Sequence, residues 1–307
     1  MPIITIFGAT GNQGSAVLQA VLANGTYTPR AVSRSLDTPA SKALIAKGIE
    51  VVVGNLWDKE SVKKAIRGSD VVFGTTNFWD PEVFPADPQG KGEITQGKNL
   101  VDAAKEEGVK FFIHSSLPNI SEDSKGQFTH VYHCDNKAAI ENHLKASGVP
   151  FAVLLTGYFP ENLYNYGLME KTSTGGFRIP IPKYGPNDNQ EFTWVGHDLG
   201  QAAVALLSNY QDSKKGVDIL GKRFPVVSFK ATHTELAAAI SKGINKEVKF
   251  EQIETAGLQE FDEMYEYQAK SGMYSDTPVP NPDLLALGVK FGTLEEFVEK
   301  EMVPRFP

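Results

Sequence analysis

The chain has 307 residues, 41 % apolar and 22 % charged, with 30 Lys and Arg against 37 Asp and Glu for a formal net charge of −7. This composition excludes a disordered chain, and the acidic balance excludes a general nucleic-acid binder, which needs a basic footprint. Apolar runs such as Ala202–Leu207 fall short of the roughly 18 residues of a membrane span, and the single cysteine, Cys134, permits no internal disulfide, which fits a reducing compartment.

Met1-Pro2 leads straight into a β-like run, without a basic segment before an apolar one. No signal peptide is expected, and the location expected is cytoplasmic, with the nucleus left open. Ile3–Phe7 is short, β-branched and almost wholly apolar, the pattern of a strand buried on both faces of a parallel sheet. Ser15–Ala23 has helical spacing, with Val17, Leu18, Ala20, Val21 and Leu22 on one broad side. Arg30–Ser33 predicts a second strand, Pro39–Lys47 a helix, and Glu50–Val53 a third strand ended by Gly54. Asp58 predicts the cap of a helix that runs to Arg67 and stops at Gly68. Asp70–Phe73 begins a fourth strand, Ile94–Glu107 is a helix ended by Gly108, and Lys110–Ser115 is a fifth strand. Val131–Ser147 is a helix ended by Gly148, and Phe151–Leu155 is a sixth strand.

This alternation predicts an α/β fold, a doubly wound parallel sheet with right-handed crossovers, over residues 1–155. Residues 156–307 are less regular, with helices near Asp198–Asn209, Thr232–Lys242, Thr255–Lys270 and Thr293–Lys300. They predict a smaller α+β lobe over the carboxyl edge of the sheet, with segments returning to the sheet.

Gly8-Ala9-Thr10-Gly11-Asn12-Gln13-Gly14 lies between the first strand and the first helix. Glycines at that point make the turn, admit a diphosphate to the backbone and let helix pack on strand. The helix N-terminus adds free N–H groups and positive partial charge. The spacing is G-x-x-G-x-x-G, and its place in a βαβ unit makes Gly8, Thr10, Gly11, Asn12, Gln13 and Gly14 candidate cofactor contacts. Arg34 ends the second strand within Ser33-Arg34-Ser35, where a NAD-selective site would usually carry Asp or Glu. A guanidinium there pairs with a 2′-phosphate and favours NADP(H). The alternative is a solvated Arg34, with Asp37 as the ribose acid.

Ligands in such sheets bind outside the carboxyl ends of the strands. Asn55 and Leu56 are candidate adenine contacts. Thr75, Thr76 and Asn77 could pass the cofactor ribose. Phe78 and Trp79 could wall a substrate pocket or pack between lobes. Ser115 and Ser116 could bond a cofactor or substrate oxygen, or finish the fifth strand.

With these residues placed, the chain resembles the NmrA-like branch of the atypical short-chain dehydrogenase/reductase superfamily, and within it the redox-sensor members. The likeness covers nearly the whole chain. It rests on Gly8–Gly14, Val32-Ser33-Arg34, Thr76–Trp79, Ser115–Ile120, His133–Lys137 and Tyr158–Leu163. It implies NADP(H) binding by a bilobal extended Rossmann architecture. It also implies a small-molecule substrate (a carbonyl, quinone or activated alkene) in some members and regulatory protein partners in others. Direct nucleic-acid and membrane partners are not implied, and assembly as a homodimer is left open.

Ordinary members of the superfamily carry Tyr-x-x-x-Lys on this helix. Here the four-residue spacing joins His133 to Lys137, and Tyr132 sits roughly 140° away around the axis. His133 could act as general acid near neutral pH, and Lys137 could hold the cofactor or move a proton; both could equally serve binding alone. Cys134 follows His133 directly, and adjacent helical side chains diverge by roughly 100°, so no nucleophile–base contact between them is expected. His130, His133 and Cys134 match no usual zinc spacing, and no metal is expected. Tyr158 could face the nicotinamide or donate the proton, Asn162 could bond a substrate carbonyl, and Phe159 could line the pocket; core packing is the plainer account of this aromatic segment. Asp198 reads as a helix N-cap.

Overall fold

The computed structural model describes residues 1–307. The first half runs β1 (Ile3–Ile6), α1 (Asn12–Asn24), β2 (Thr28–Ser33), α2 (Pro39–Ala46), β3 (Glu50–Val53), α3 (Lys59–Ile66), β4 (Val71–Gly74), α4 (Gly92–Glu106), β5 (Phe111–Ser116), a single turn α5 (Ile120–Asp123), α6 (Tyr132–Ser147) and β6 (Phe151–Thr156). Local chemistry sets several of these limits. Thr38 accepts the Ser41 N–H at the start of α2, where Pro39 needs no backbone partner. Asp58 accepts the Glu60 N–H and opens α3. At the amino edge of the sheet the Asp70 carboxylate accepts the Ile3 N–H at 2.9 Å and the Lys110 ammonium at 2.6 Å, which ties β1 to β4 and β5.

The second half runs α7 (Asn162–Asn165), β7 (Glu170–Lys171), β8 (Phe177–Pro182), β9 (Asn189–Phe192), α8 (Gly200–Asn209), β10 (Arg223–Val226), β11 (Phe229–Thr232), α9 (His233–Ile244), β12 (Val248–Ile253) and α10 (Gln259–Ser271). Seven parallel strands form one sheet in the order β10-β6-β5-β4-β1-β2-β3. This is the doubly wound sheet the alternation predicts, with the order reversing between β1 and β4. Strands β5 and β6 are buried along their whole length. The chain returns to the sheet through β10, whose Phe224 pairs with Leu154. The remaining strands form a three-stranded sheet, β12-β8-β7, and an antiparallel ribbon of β9 and β11.

Two expected helices differ. The one expected from Asp198 opens with a π-helical turn at Val195–Leu199 and becomes α-helical at Gly200. Asp198 is therefore no N-cap. It is fully buried and accepts the Gly292 N–H at 3.1 Å and the His197 ring at 2.6 Å, so it pins a distant loop. The expected Thr293–Lys300 helix is α-helical only over Leu294–Phe297 and continues as a π-helical turn.

Helix α8 lies against α1, and Val17, Leu18, Val21, Ala202, Ala203 and Leu206 share one buried apolar cluster. Gly200 makes the approach possible: a Cβ there would sit 2.4 Å from the Ala16 carbonyl oxygen and 2.8 Å from the Ala20 methyl. We expect Gly200→Ala to destabilise the protein by roughly 1–3 kcal/mol through overpacking. A urea-unfolding midpoint equal to that of the wild type would show that the two helices do not need this contact.

Candidate functional site

The turn after β1 is held tightly. Phe7 N–H donates to the Phe73 carbonyl at 3.0 Å, and Gly11 N–H donates to Gly8 O at 2.8 Å. Gly8 has φ +66°, a left-handed conformation that favours glycine. At Gly14 a Cβ would lie 2.2 Å from the Gly8 carbonyl oxygen, so only glycine lets α1 begin this close to the strand. Gly11 caps α1 without a side chain, and no acidic residue stands in its first turn. The N–H groups of Asn12, Gln13 and Gly14 precede the first intrahelical bond, beside exposed Gly8, Thr10 and Gly11, and no acidic side chain in the first turn offsets the helix dipole. A helix N-terminus of this kind suits an anion such as a phosphate group. Ser115, from the end of β5, donates to the Gln13 side-chain oxygen at 2.5 Å, and the Thr75 methyl abuts Gly8. The turn thus gathers Gly8–Gly14, Thr75 and Ser115.

At the ends of β2 and β3 the placement is looser. Ser33 spends its hydroxyl on Ser35 O and Ser41 Oγ. Arg34 reaches out and pairs with Asp80 at 2.6 Å. Asp37 lies exposed beside Lys42 at 3.5 Å. Asn55 turns its side-chain oxygen to the Trp57 N–H, and the Leu56 carbonyl accepts from Asn99 at 2.8 Å. Asn77 likewise accepts the Trp79 N–H.

The middle of the site is built on a residue with no motif around it. Glu93, fully buried in the first turn of α4, accepts both the Thr76 hydroxyl at 2.7 Å and the Lys137 ammonium at 2.5 Å on one oxygen. A second buried carboxylate, Glu260 at the start of α10, reaches across from the C-terminal half. It accepts the backbone N–H of Tyr132 at 3.0 Å and of His133 at 2.9 Å, and it holds the His133 Nδ1. Its neighbour Glu263 takes the N–H groups of Thr129 and His130. The N-terminus of α6 is thus capped by carboxylates 127 and more residues away. The other His133 nitrogen, Nε2, lies 3.4 Å from Cys134 Sγ. This corrects the expectation that adjacent residues stay apart: the imidazole is long enough to fold back over the next side chain. Burial pushes the Cys134 thiol pKa up, which favours its protonated form.

Phe78 is buried, with Trp79 edge-on to it at 5.0 Å, and both rings lie 5.9 Å from His133. Trp79 stacks on Phe261 of α10 at 4.8 Å, which makes one aromatic wall from both halves. Other sequence candidates lie apart from it. Ser116 points to the opposite face of β5, beside Glu141. Tyr158 is buried among Phe192, His233 and Tyr265, and that burial raises its phenol pKa well above the ordinary value. Phe159 packs on the apolar layer that contains α1 and α8. Asn162 opens α7 with its side-chain oxygen unpartnered. Three side chains of the arrangement, Asp80, Glu93 and Glu260, belong to no sequence motif.

A model of the NmrA-like family matches residues 2–298. The chain is 30 % identical over 250 residues to an NmrA-like family domain-containing oxidoreductase, notA, of an Aspergillus species, covering 77 % of this chain and 71 % of the relative. Its fold superposes on the negative transcriptional regulator NmrA in complex with NADP with a TM-score of 0.77, at 20 % identity, covering 99 % of this chain and 96 % of that one. An NADPH-dependent quinone oxidoreductase of Escherichia coli, complexed with NADPH, gives a TM-score of 0.72 at 21 % identity, covering 97 % of this chain and 99 % of that one. At these identities the two structures speak for the fold alone.

Glu161, between Tyr158 and Asn162, gives this segment a pH dependence. Burial raises its carboxyl pKa from 4.5 to about 7, only partly offset by the Gly196 N–H it accepts at 2.9 Å. The folded state holds this proton more tightly than the unfolded chain does. Stability from this group is therefore complete below about pH 4.5 and lost as pH rises toward about 7. Glu161→Gln should gain on the wild type by up to about 3 kcal/mol between pH 5 and pH 8. Parallel stability curves for the two proteins in urea across that range would refute this.

Proposed function

The chain belongs to the NmrA-like family, and we propose that it is an NADPH-dependent reductase of a carbonyl, quinone or activated alkene. One observation carries the cofactor part: α1 opens on a glycine turn with no acidic side chain in its first turn, and a cation, Arg34, stands at the end of the adjacent strand. When bound, the cofactor supplies a hydride. The N–H groups of Asn12, Gln13 and Gly14 would hold its diphosphate, and Arg34 its 2′-phosphate. Lys137, fixed by Glu93, would hold the nicotinamide ribose.

The aromatic wall of Phe78 and Trp79 would cover a flat substrate. The names of relatives agree with this class: the Aspergillus relative is called an oxidoreductase, and the bacterial structure a quinone oxidoreductase. Reduction of a carbonyl or quinone also takes up a proton. His133 is engaged on both nitrogens and the Tyr158 phenol holds its proton tightly, so we assign proton delivery to Lys137 or to water. In this reading residues 1–155 bind the cofactor, and residues 156–307 supply mainly the substrate or partner lobe.

The same engagement of His133 favours a second reading, a catalytically silent NADP(H) sensor that acts through protein partners. Cofactor would then change partner contact by binding two lobe arrangements unequally. A panel of quinones, aldehydes and activated enones separates the two. The reductase reading expects NADPH oxidation above the blank rate with at least one acceptor, and loss of most of it in Lys137→Met. The sensor reading expects no turnover, with partner capture that changes on adding NADPH. For the cofactor site, Arg34→Ala should raise the NADPH Kd by about 10- to 100-fold and the NADH Kd by no more than about twofold. Equal losses for both coenzymes, measured by calorimetry, would remove Arg34 from the 2′-phosphate site.

A further inference from the structure

The segment from Asn77 to Gly90 crosses the carboxyl end of the sheet as a strap between β4 and α4. Besides the burial of Phe78, three contacts fasten it. Trp79 stacks on Phe261. The Asn136 side-chain amide donates to the carbonyls of Gln89 and Gly90, both at 3.0 Å. The third point is Asp80, whose Oδ2 receives Arg34 Nη1 at 2.6 Å while its Oδ1 accepts the Glu82 N–H at 3.0 Å.

The two partners of this ion pair differ sharply in setting. The Arg34 side chain is 72 % exposed and the Asp80 side chain only 9 %. Asp80 is thus a buried carboxylate of the strap, and Arg34 is an exposed arm from the end of β2 that reaches it. An arginine at this strand end is also the cation that would take a 2′-phosphate. A phosphate brought to the same guanidinium finds its Nη1 donor already held by the Asp80 carboxylate and must compete for it.

We propose that Asp80 is a coenzyme-specificity residue that acts through Arg34 by competing with the 2′-phosphate for the guanidinium. This rests on the NADPH reading above. NADH carries no group for which Asp80 can compete, so the penalty falls on the phosphorylated coenzyme alone. To the extent that the 2′-phosphate wins Arg34 from Asp80, binding of NADPH loosens one fastening of the strap that carries Phe78 and Trp79.

The test measures dissociation constants for NADPH and NADH by calorimetry on the full chain. The variants are Asp80→Asn, Asp80→Glu, Arg34→Ala and the double variant Arg34→Ala/Asp80→Asn. Asn keeps an oxygen for the Glu82 N–H and removes the charge. Asp80→Asn is expected to tighten NADPH by about threefold or more and to leave NADH within about twofold. Asp80→Glu, which keeps the charge, should stay nearer the wild type for NADPH. In the Arg34→Ala background, Asp80→Asn should change neither coenzyme, because the pair is already broken.

The role of Asp80 is overturned if Asp80→Asn weakens or does not alter NADPH binding, if it shifts both coenzymes alike, or if its effect survives without Arg34. Failure of the wild type to bind either coenzyme would instead strike the reading beneath, and the competition with it.

Discussion

The structure depends on how closely α1 approaches the turn after β1. With Gly14 set against the Gly8 carbonyl, α1 begins closer to the turn than any side chain at that position would allow, because a Cβ there collides with backbone. Two consequences follow from one contact. The helix aims its first N–H groups past the end of β1 toward the strand order's switch point, where ligands of such sheets bind. It also presents Ala16 and Ala20 to Gly200, so that α8 docks on α1 and brings the C-terminal half onto the first. The cradle and the docking of the two halves are two ends of the same helix.

Buried carboxylates do the rest of the positioning. Glu93, Glu260 and Asp80 each lie nearly out of contact with water. A charge removed from water must be compensated by donors held in place. Glu93 obtains them from Thr76 and Lys137, Glu260 from two backbone N–H groups and His133, and Asp80 from Arg34 and the Glu82 N–H. Each carboxylate therefore joins elements far apart in sequence. Such pairs contribute little net stability, because desolvation offsets most of the attraction. What they contribute is position: Lys137 cannot swing freely while Glu93 holds it, and the start of α6 cannot fray while Glu260 caps it.

Much of the fold was legible because apolar runs buried on both faces have no other use. Strands β1 to β6 stand within a residue or two of their predicted limits, and the predicted cap at Asp58 is local chemistry. Strand β10 was not legible. It is four residues long, contains Pro225, and survives only because it lies at the sheet edge, where a proline costs no ladder bond on its outer side. Asp198 shows the converse: an acidic residue before a helical run has the local look of a cap, and only its contact with Gly292 reveals a buried anchor. The site divides in the same way. The glycine turn and Arg34 are written in consecutive residues. The partners of Lys137, His133 and Arg34 lie 44, 127 and 46 residues away, and nothing in their neighbourhoods separates them from ordinary surface acids.

The helix α10 binds these threads together. It supplies Glu260 to the start of α6, Glu263 to the residues just before it, and Phe261 to the face of Trp79. At roughly 100° per residue, 263, 260 and 261 spread over an arc of about 160° around α10, so this one helix reaches both the start of α6 and the aromatic wall. Lys137 lies one turn further along α6 than His133, and its fixed partner Glu93, just after the strap, also accepts the hydroxyl of Thr76, just before it. A ligand that displaced the strap would consequently be felt at Trp79, then at α10, and through Glu260 at the helix that carries Lys137. Such coupling carries free energy only to the extent that the ligand contacts the two arrangements unequally. The group of the strap's fastenings that stands most open to a ligand is Arg34, the exposed arm that a carboxylate of the strap already holds.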